Sequence, residues 1–165
     1  MVRGVEIYKQ LSQKRQTIDN CAKLLYNSPM EIKAYAKINL SLNVVGLGKM
    51  HALDSIMARV DLFDRVTIKP SDEFSVSYDC DIEGGGTVEK AYKIVERDCL
   101  DKAHPIIVDV KKDIPIGAGL GGSSADAAAI MRYFGLKNNE IAIKSGSDVP
   151  FMRSWQQECK AVEKK

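Results

Sequence analysis

Residues 115–129 read PIGAGLGGSSADAAA, four glycines and two serines followed by a run of alanines. Glycine is costly to hold in one conformation and alanine is the best helix former, so the chain changes from turn to helix abruptly at Ser123. Just ahead, PIIVDV at 105–110 alternates as a strand does. A strand, a glycine turn and a helix in that order aim the unpaired N–H groups of a first helical turn, and the positive end of its dipole, at one point. An anion suits that point. Gly117, Gly119, Gly121 and Gly122 let the backbone come close to it without a Cβ in the way. Ser123 and Ser124 can cap the helix or donate to phosphate oxygens, and Ser124 could also reach a magnesium ion.

Two familiar loops share parts of this spacing. GAGLGG fits G-x-G-x-x-G, but a dinucleotide fold needs a second strand ending in an acidic residue about twenty positions on, and nothing long enough to be that strand precedes Glu140. GAGLGGSS has the spacing of G-x-x-x-x-G-K-[ST] with Ser123 where the lysine should stand. A plain glycine turn that lets a helix pack close to a sheet is the bland reading. A phosphate loop without its lysine needs a cation from elsewhere, and Lys37 is a candidate. From Glu31 the pattern has period two: Ile32, Ala34, Ala36, Ile38, Leu40, Leu42 and Val44 on one face, Lys33, Tyr35, Lys37, Asn39, Ser41 and Asn43 on the other. This is a strand with one buried side, and it places Lys37 and Asn39 together on the open face. Asp148 sits in GSDVPF, where Pro150 restricts the residue before it. Singly, these are ordinary surface and loop residues. Together, a phosphate loop, a lysine and an aspartate are the parts of a small-molecule kinase, the aspartate accepting a hydroxyl proton and the lysine stabilising developing charge.

The rest of the chain sets the frame. Residues 3–26 read as a helix, with Ile7, Leu11, Ile18, Ala22 and Leu25 near helical spacing and Arg3, Lys9, Lys14, Arg15 and Lys23 elsewhere on it. It is a solvated or packed extension, or a contact for a membrane surface or partner. Asn27-Ser28-Pro29 ends it. Further strands are expected over 56–68 and near Phe74, Val76 and Tyr78, a turn at 83–86, and a helix carrying Val88, Ala91, Tyr92, Val95 and Cys99. Gly135 should close the alanine helix. Strands cluster before helices, which favours an α+β sandwich. The expected division is a helical extension at 1–30, an ATP-binding domain at 31–151 and a polar tail at 152–165.

Among 165 residues the formal net charge is +2, too slight to argue for nucleic acid. No apolar run is long enough to span a bilayer, and the N-terminus lacks a signal peptide's apolar core. Cys21, Cys80, Cys99 and Cys159 form no CxxC pair, so a zinc site is not expected and a reducing, cytoplasmic setting is.

The stretches PIGAGLGGSSADAAA, KAYAKINLSL, VDLFDRVTI and GSDVPF resemble the GHMP kinases over roughly Glu31 to Phe151. They are most similar to the branch that phosphorylates a cytidine diphosphate polyol in non-mevalonate isoprenoid precursor synthesis. The resemblance implies a left-handed β-α-β, ribosomal-protein-like two-layer fold, with a ferredoxin-like second domain not found in this chain. It implies Lys37 and Asp148 as the catalytic pair. ATP, with Mg2+, would be held by Pro115, Ile116, Gly117, Ala118, Gly119, Leu120, Gly121, Gly122, Ser123 and Ser124, and the alcohol substrate by Asn39 and His51. The chain departs from the group's pattern at Lys49-Met50-His51, where Gly-Tyr-His is usual, at Ala125, which lacks a hydroxyl, and at Thr87, where asparagine is common. A truncated, non-catalytic nucleotide- or partner-binding module is the competing reading, with self-association at the face a second domain would cover. A dinucleotide oxidoreductase rests only on the weak glycine match.

Overall fold

The computed structural model describes residues 28–44, 53–82 and 86–154. The expected helix at 3–26, residues 83–85 of the expected turn at 83–86, His51 and most of the tail lie outside them. The elements run β1 (Met30–Val44), β2 (Leu53–Pro70), β3 (Ser75–Tyr78), α1 (Thr87–Asp98), β4 (Ile106–Lys111), α2 (Gly122–Tyr133) and α3 (Asn139–Ile143), followed by a helical segment at 149–154.

The four strands form one mixed sheet in the order β1-β2-β4-β3. β1 pairs antiparallel with β2 from Met30↔Ile68 to Val44↔Leu53, and β2 pairs antiparallel with β4. β3 lies parallel to β4 with α1 as the crossover, the β-α-β unit expected. One face of the sheet buries Ile32, Ala34, Val66, Ile68, Ile106 and Val108 against the helices. α1 returns Val88, Ala91, Tyr92, Ile94 and Val95 to that core. Phe74 stops short of β3 and stacks flat on Tyr92 at 3.9 Å.

α2 is the central helix. Every residue from Ala125 to Met131 is buried, which is why its sequence shows an alanine run in place of an apolar stripe: small side chains let a helix with neighbours all round lie close to the sheet. It ends as the sequence predicts. Gly135 takes φ +64°, its N–H bonds to the Arg132 carbonyl, and the Leu136 N–H bonds to that of Met131, a Schellman closure.

The period-two reading of β1 holds only to Ala36. The register slips between Tyr35 and Lys37, where β2 sets three residues against Ala36 alone, and again between Asn39 and Ser41. Beyond the first slip Ile38, Leu40 and Leu42, expected inside, are exposed, and Lys37, expected on the open face, is buried. The reason lies at the sheet edge. β1 is an outer strand, and the glycine loop lies along it, the Lys37 N–H donating to the Leu120 carbonyl at 2.8 Å. Ladder irregularities of this kind turn a side chain away from the direction simple alternation assigns it.

Candidate functional site

The glycine loop forms one wall of a cavity of about 560 Å3. Its lining includes every residue from Pro115 to Ser124, with Thr87 and Tyr78 opposite and Lys112 and Asp126 at its base. Gly117, Gly119 and Gly121 all have φ between +73° and +76°, a conformation that L side chains rarely adopt, so the loop's path depends on glycine. Gly121 itself, left-handed, is the N-cap of α2, and no side chain caps the helix. The expectation that Ser123 or Ser124 caps is therefore corrected: the helix starts at Gly122, which places both serines inside the first turn. Their N–H groups are among those a helix start leaves unpaired. Thr87 ties this turn to α1, its hydroxyl donating to the Ser123 carbonyl at 2.7 Å.

Two lysines flank the helix mouth. Lys37 lies under Gly121, where an added Cβ would come within 3.1 Å of its Cγ and 2.4 Å of the Met152 methyl. Its Nζ donates to Asn39 Oδ1 at 3.0 Å and lies 3.5 Å from Asp148 Oδ2, whose side chain is 28% exposed. Gly146, on the same loop as Asp148, packs near the Ser124 hydroxyl. So Lys37, Asn39, Asp148 and Ser124, far apart in sequence, come together on one side of the α2 mouth. His51, the remaining substrate-binding expectation, lies outside the described residues.

Sequence reasoning missed the second lysine. Lys112, in KKDIP, packs beneath Gly122, and its ammonium is held by Asp64 at 2.5 Å and Asp126 at 2.6 Å. Asp64 also accepts the N–H groups of Asp113 and Ile114 through its other oxygen, at 2.7 and 2.8 Å. The three side chains thereby fasten the entry of the glycine loop to β2 and to α2. Burial pushes the Asp126 carboxyl up to about 7, against the pull of Lys112 and with the help of neighbouring Asp64. Burial also works against the Lys112 charge, but the two carboxylates outweigh it and hold its pKa above the usual lysine value. Asp126 Oδ1 is buried without a hydrogen-bond partner. The missed signal was period and place: Lys112 stands three residues ahead of Pro115, where the strand ends and the loop begins.

It is Lys112, not Lys37, that lines the loop cavity; Lys37 stands behind Gly121. Among the described residues no group of three acidic, histidine or cysteine side chains could hold a metal ion. No helix among the described residues is long and apolar enough to cross a membrane.

Residues 86–151 match the family model "GHMP kinases N terminal domain". The curated 4-diphosphocytidyl-2-C-methyl-D-erythritol kinases of Pseudothermotoga lettingae and Clostridium tetani are each 38% identical, over 73% and 74% of this chain and 48% and 49% of their own lengths. The chain thus spans about half the length of the curated relatives it matches. A crystal structure of 4-(cytidine 5'-diphospho)-2C-methyl-D-erythritol kinase is similar at a TM-score of 0.59 with 28% identity, covering 74% of this chain and 48% of that one. The mevalonate pyrophosphate decarboxylase of Streptococcus pyogenes, at 13% identity and a TM-score of 0.56 over 76% of this chain and 45% of its own, shares the fold alone.

Proposed function

We propose that this chain, whose body is a GHMP kinase N-terminal domain, binds the phosphates of ATP at the mouth of α2 and transfers the terminal phosphoryl group to an alcohol. The observation that carries the reading is the loop of three left-handed glycines opening α2, with a lysine on each side. A cavity of about 560 Å3 is of a size that takes a nucleotide. First-turn N–H groups hold the phosphate oxygens, and the Lys112 ammonium, fixed by Asp64 and Asp126, adds positive charge at the base of the cavity. The acceptor hydroxyl lies beside Asp148, which takes its proton as the oxygen attacks phosphorus and the bond to ADP breaks. Lys37 stabilises the charge on the transferring group and orients Asp148. Asn39 holds Lys37 in line and offers its amide N–H groups to the substrate. Ser124 is the hydroxyl that would meet a magnesium ion bound with the nucleotide, and such an ion would supply charge neutralisation at the phosphates.

The relatives are named as 4-diphosphocytidyl-2-C-methyl-D-erythritol kinases, which supports a cytidine diphosphate polyol as the alcohol; with the sequence resemblance, His51 is a further contact and the reaction belongs to non-mevalonate isoprenoid precursor synthesis. The free thiols of Cys80 and Cys99 support a reducing compartment such as the cytoplasm. Binding without transfer is a second reading, favoured by the openness of the acceptor side, where Leu40 and Leu42 beside Asn39 are exposed. The test is ADP release by the purified chain from ATP and the cytidine diphosphate polyol. Lys37→Met and Asp148→Asn should each lower it about 10²- to 10⁴-fold. Undiminished turnover in either variant removes that residue from the mechanism. ATP binding with no product in the wild type supports the second reading over the first.

A further inference from the structure

Arg132, in the last turn of α2, carries a charge that the phosphoryl transfer described above does not use. Its Nε is buried without a hydrogen-bond partner, and among the described residues the guanidinium forms no ion pair. Burial pulls it down to about 10, below the ordinary arginine value, with neighbouring Tyr35 acting the other way. A buried cation without a counter-ion is costly, so what it grips matters.

Both of its contacts are backbone carbonyls, and each lies on an element that carries one member of the Lys37–Asp148 pair. Arg132 Nη2 donates to the Lys33 carbonyl at 2.9 Å, on β1 just ahead of the register slip beyond which Lys37 turns inward. Nη1 donates to the Met152 carbonyl at 3.5 Å, on the helical segment that follows Asp148. Met152 is the link between the two. Its N–H donates to the Asp148 carbonyl at 3.0 Å. Its buried methyl lies with the Lys37 stem under Gly121, where a single added Cβ would press on both. A planar guanidinium fork holds two carbonyls at fixed angles, which a lysine ammonium on its flexible stem does not. Lys37 Nζ and Asp148 Oδ2, 3.5 Å apart and partly open to solvent, do too little to hold each other in place. Their geometry has to be set from outside, and a misplacement of about 1 Å is enough to cost on the order of 10²-fold in rate.

We propose that Arg132 is a positioning residue: by clasping β1 and the 149–154 segment together, it fixes the Lys37 ammonium and the Asp148 carboxylate at their working separation. It does not line the loop cavity and acts only through Lys33 and Met152. Arg153, next to Met152, is the natural comparison. Its Nε is likewise buried and unpartnered, but its other nitrogens donate to the Leu136 carbonyl and Asn139 Oδ1, not to β1. The part Arg132 plays in turnover rests on the kinase reading; the clasp itself does not.

Two readouts on the full chain test it. The first is acylation by limiting acetic anhydride, followed by mass spectrometry at buried Lys37 with exposed Lys93 as the reference. In Arg132→Met, Lys37 should react several-fold faster relative to Lys93; Arg132→Lys should fall between, and Arg153→Met should match the wild type. The second is ADP release, where Arg132→Met should lower kcat about 10²-fold and leave KM for ATP unchanged, since the glycine loop is fastened separately through Lys112. Wild-type Lys37 reactivity or wild-type kcat in Arg132→Met would overturn the proposal. So would an Arg153→Met chain that reacts as Arg132→Met does, or a loss that falls on KM for ATP with kcat intact. Should Arg132→Met not melt cooperatively, Arg132→Lys decides, and Lys37 acylation at the wild-type rate there overturns the clasp. A wild type that releases no ADP while its variants acylate as expected would sink the kinase reading and uphold the clasp.

Discussion

The two lysines at the mouth of α2 differ in every respect except position. Lys112 is clamped between two buried carboxylates at 2.5 and 2.6 Å, under Gly122. Lys37, under Gly121, keeps a looser 3.5 Å approach to an aspartate that still sees solvent. Breaking a buried ion pair strands a charge; a loose, partly open pair can exchange its partner for a ligand. The fold therefore fixes Lys112 to the entry of the glycine loop and leaves Lys37 the less constrained of the two.

That contrast is broken most directly by removing each ammonium. Lys112→Met leaves Asp64 and Asp126 facing each other without a cation. It should cost about 3–5 kcal/mol, a fall in Tm on the order of 10 °C, read by calorimetry. Lys37→Met should cost about 1 kcal/mol or less, with the loss appearing in turnover. If the stability losses were reversed, the assignment of roles would be wrong.

Next in size are two glycines of the loop. Gly119 and Gly121 have the same left-handed φ, but a Cβ at Gly119 would meet open space and one at Gly121 would meet the Met152 methyl and Lys37. Gly119→Ala should cost only the backbone term, about 1–2 kcal/mol. Gly121→Ala should add about 1–3 kcal/mol of overpacking. Denaturant midpoints of the pair separate strain from crowding.

A pH series sharpens the Lys112 side. Burial holds the Asp126 carboxyl at about 7 in the folded chain, above its ordinary value of 3.8. The folded state therefore binds more protons than the unfolded state between about pH 4 and 7. The stability this group contributes is full below that window and is lost as pH rises through it. Asp126→Asn should flatten the slope of unfolding free energy between pH 5 and 7. A slope unchanged in the variant would mean that another group carries it.

The smallest effect is expected at a third, exposed contact, where Asp98 meets Arg97 and Lys144 on the surface. Asp98→Asn should leave Tm unchanged within error, since solvent and salt screen such pairs.

The same contrast explains what could be read from the sequence. The glycine loop, the helix after it and the Gly135 closure were legible because each rests on local backbone chemistry: left-handed φ, an unpaired helix start, a Schellman turn. That Lys37 and Asp148 come together was legible by motif. The burial of Lys37 was not, because it arises where a distant loop lies along β1 and the β1–β2 register slips, and neither leaves a mark in the alternation of β1 itself. Lys112 escaped for a related reason. Its partners Asp64 and Asp126 are 48 and 14 residues away, and only the sheet brings them together.

That the mouth of α2 holds a nucleotide's phosphates is a claim that thermal unfolding with and without saturating magnesium–ATP can test. At a hundred times the dissociation constant, binding should add about 2.7 kcal/mol, roughly 5–10 °C in Tm, and Gly119→Val should abolish the shift while still melting cooperatively. A wild-type chain that melts cooperatively with no shift, or a shift that survives in Gly119→Val, would contradict the claim.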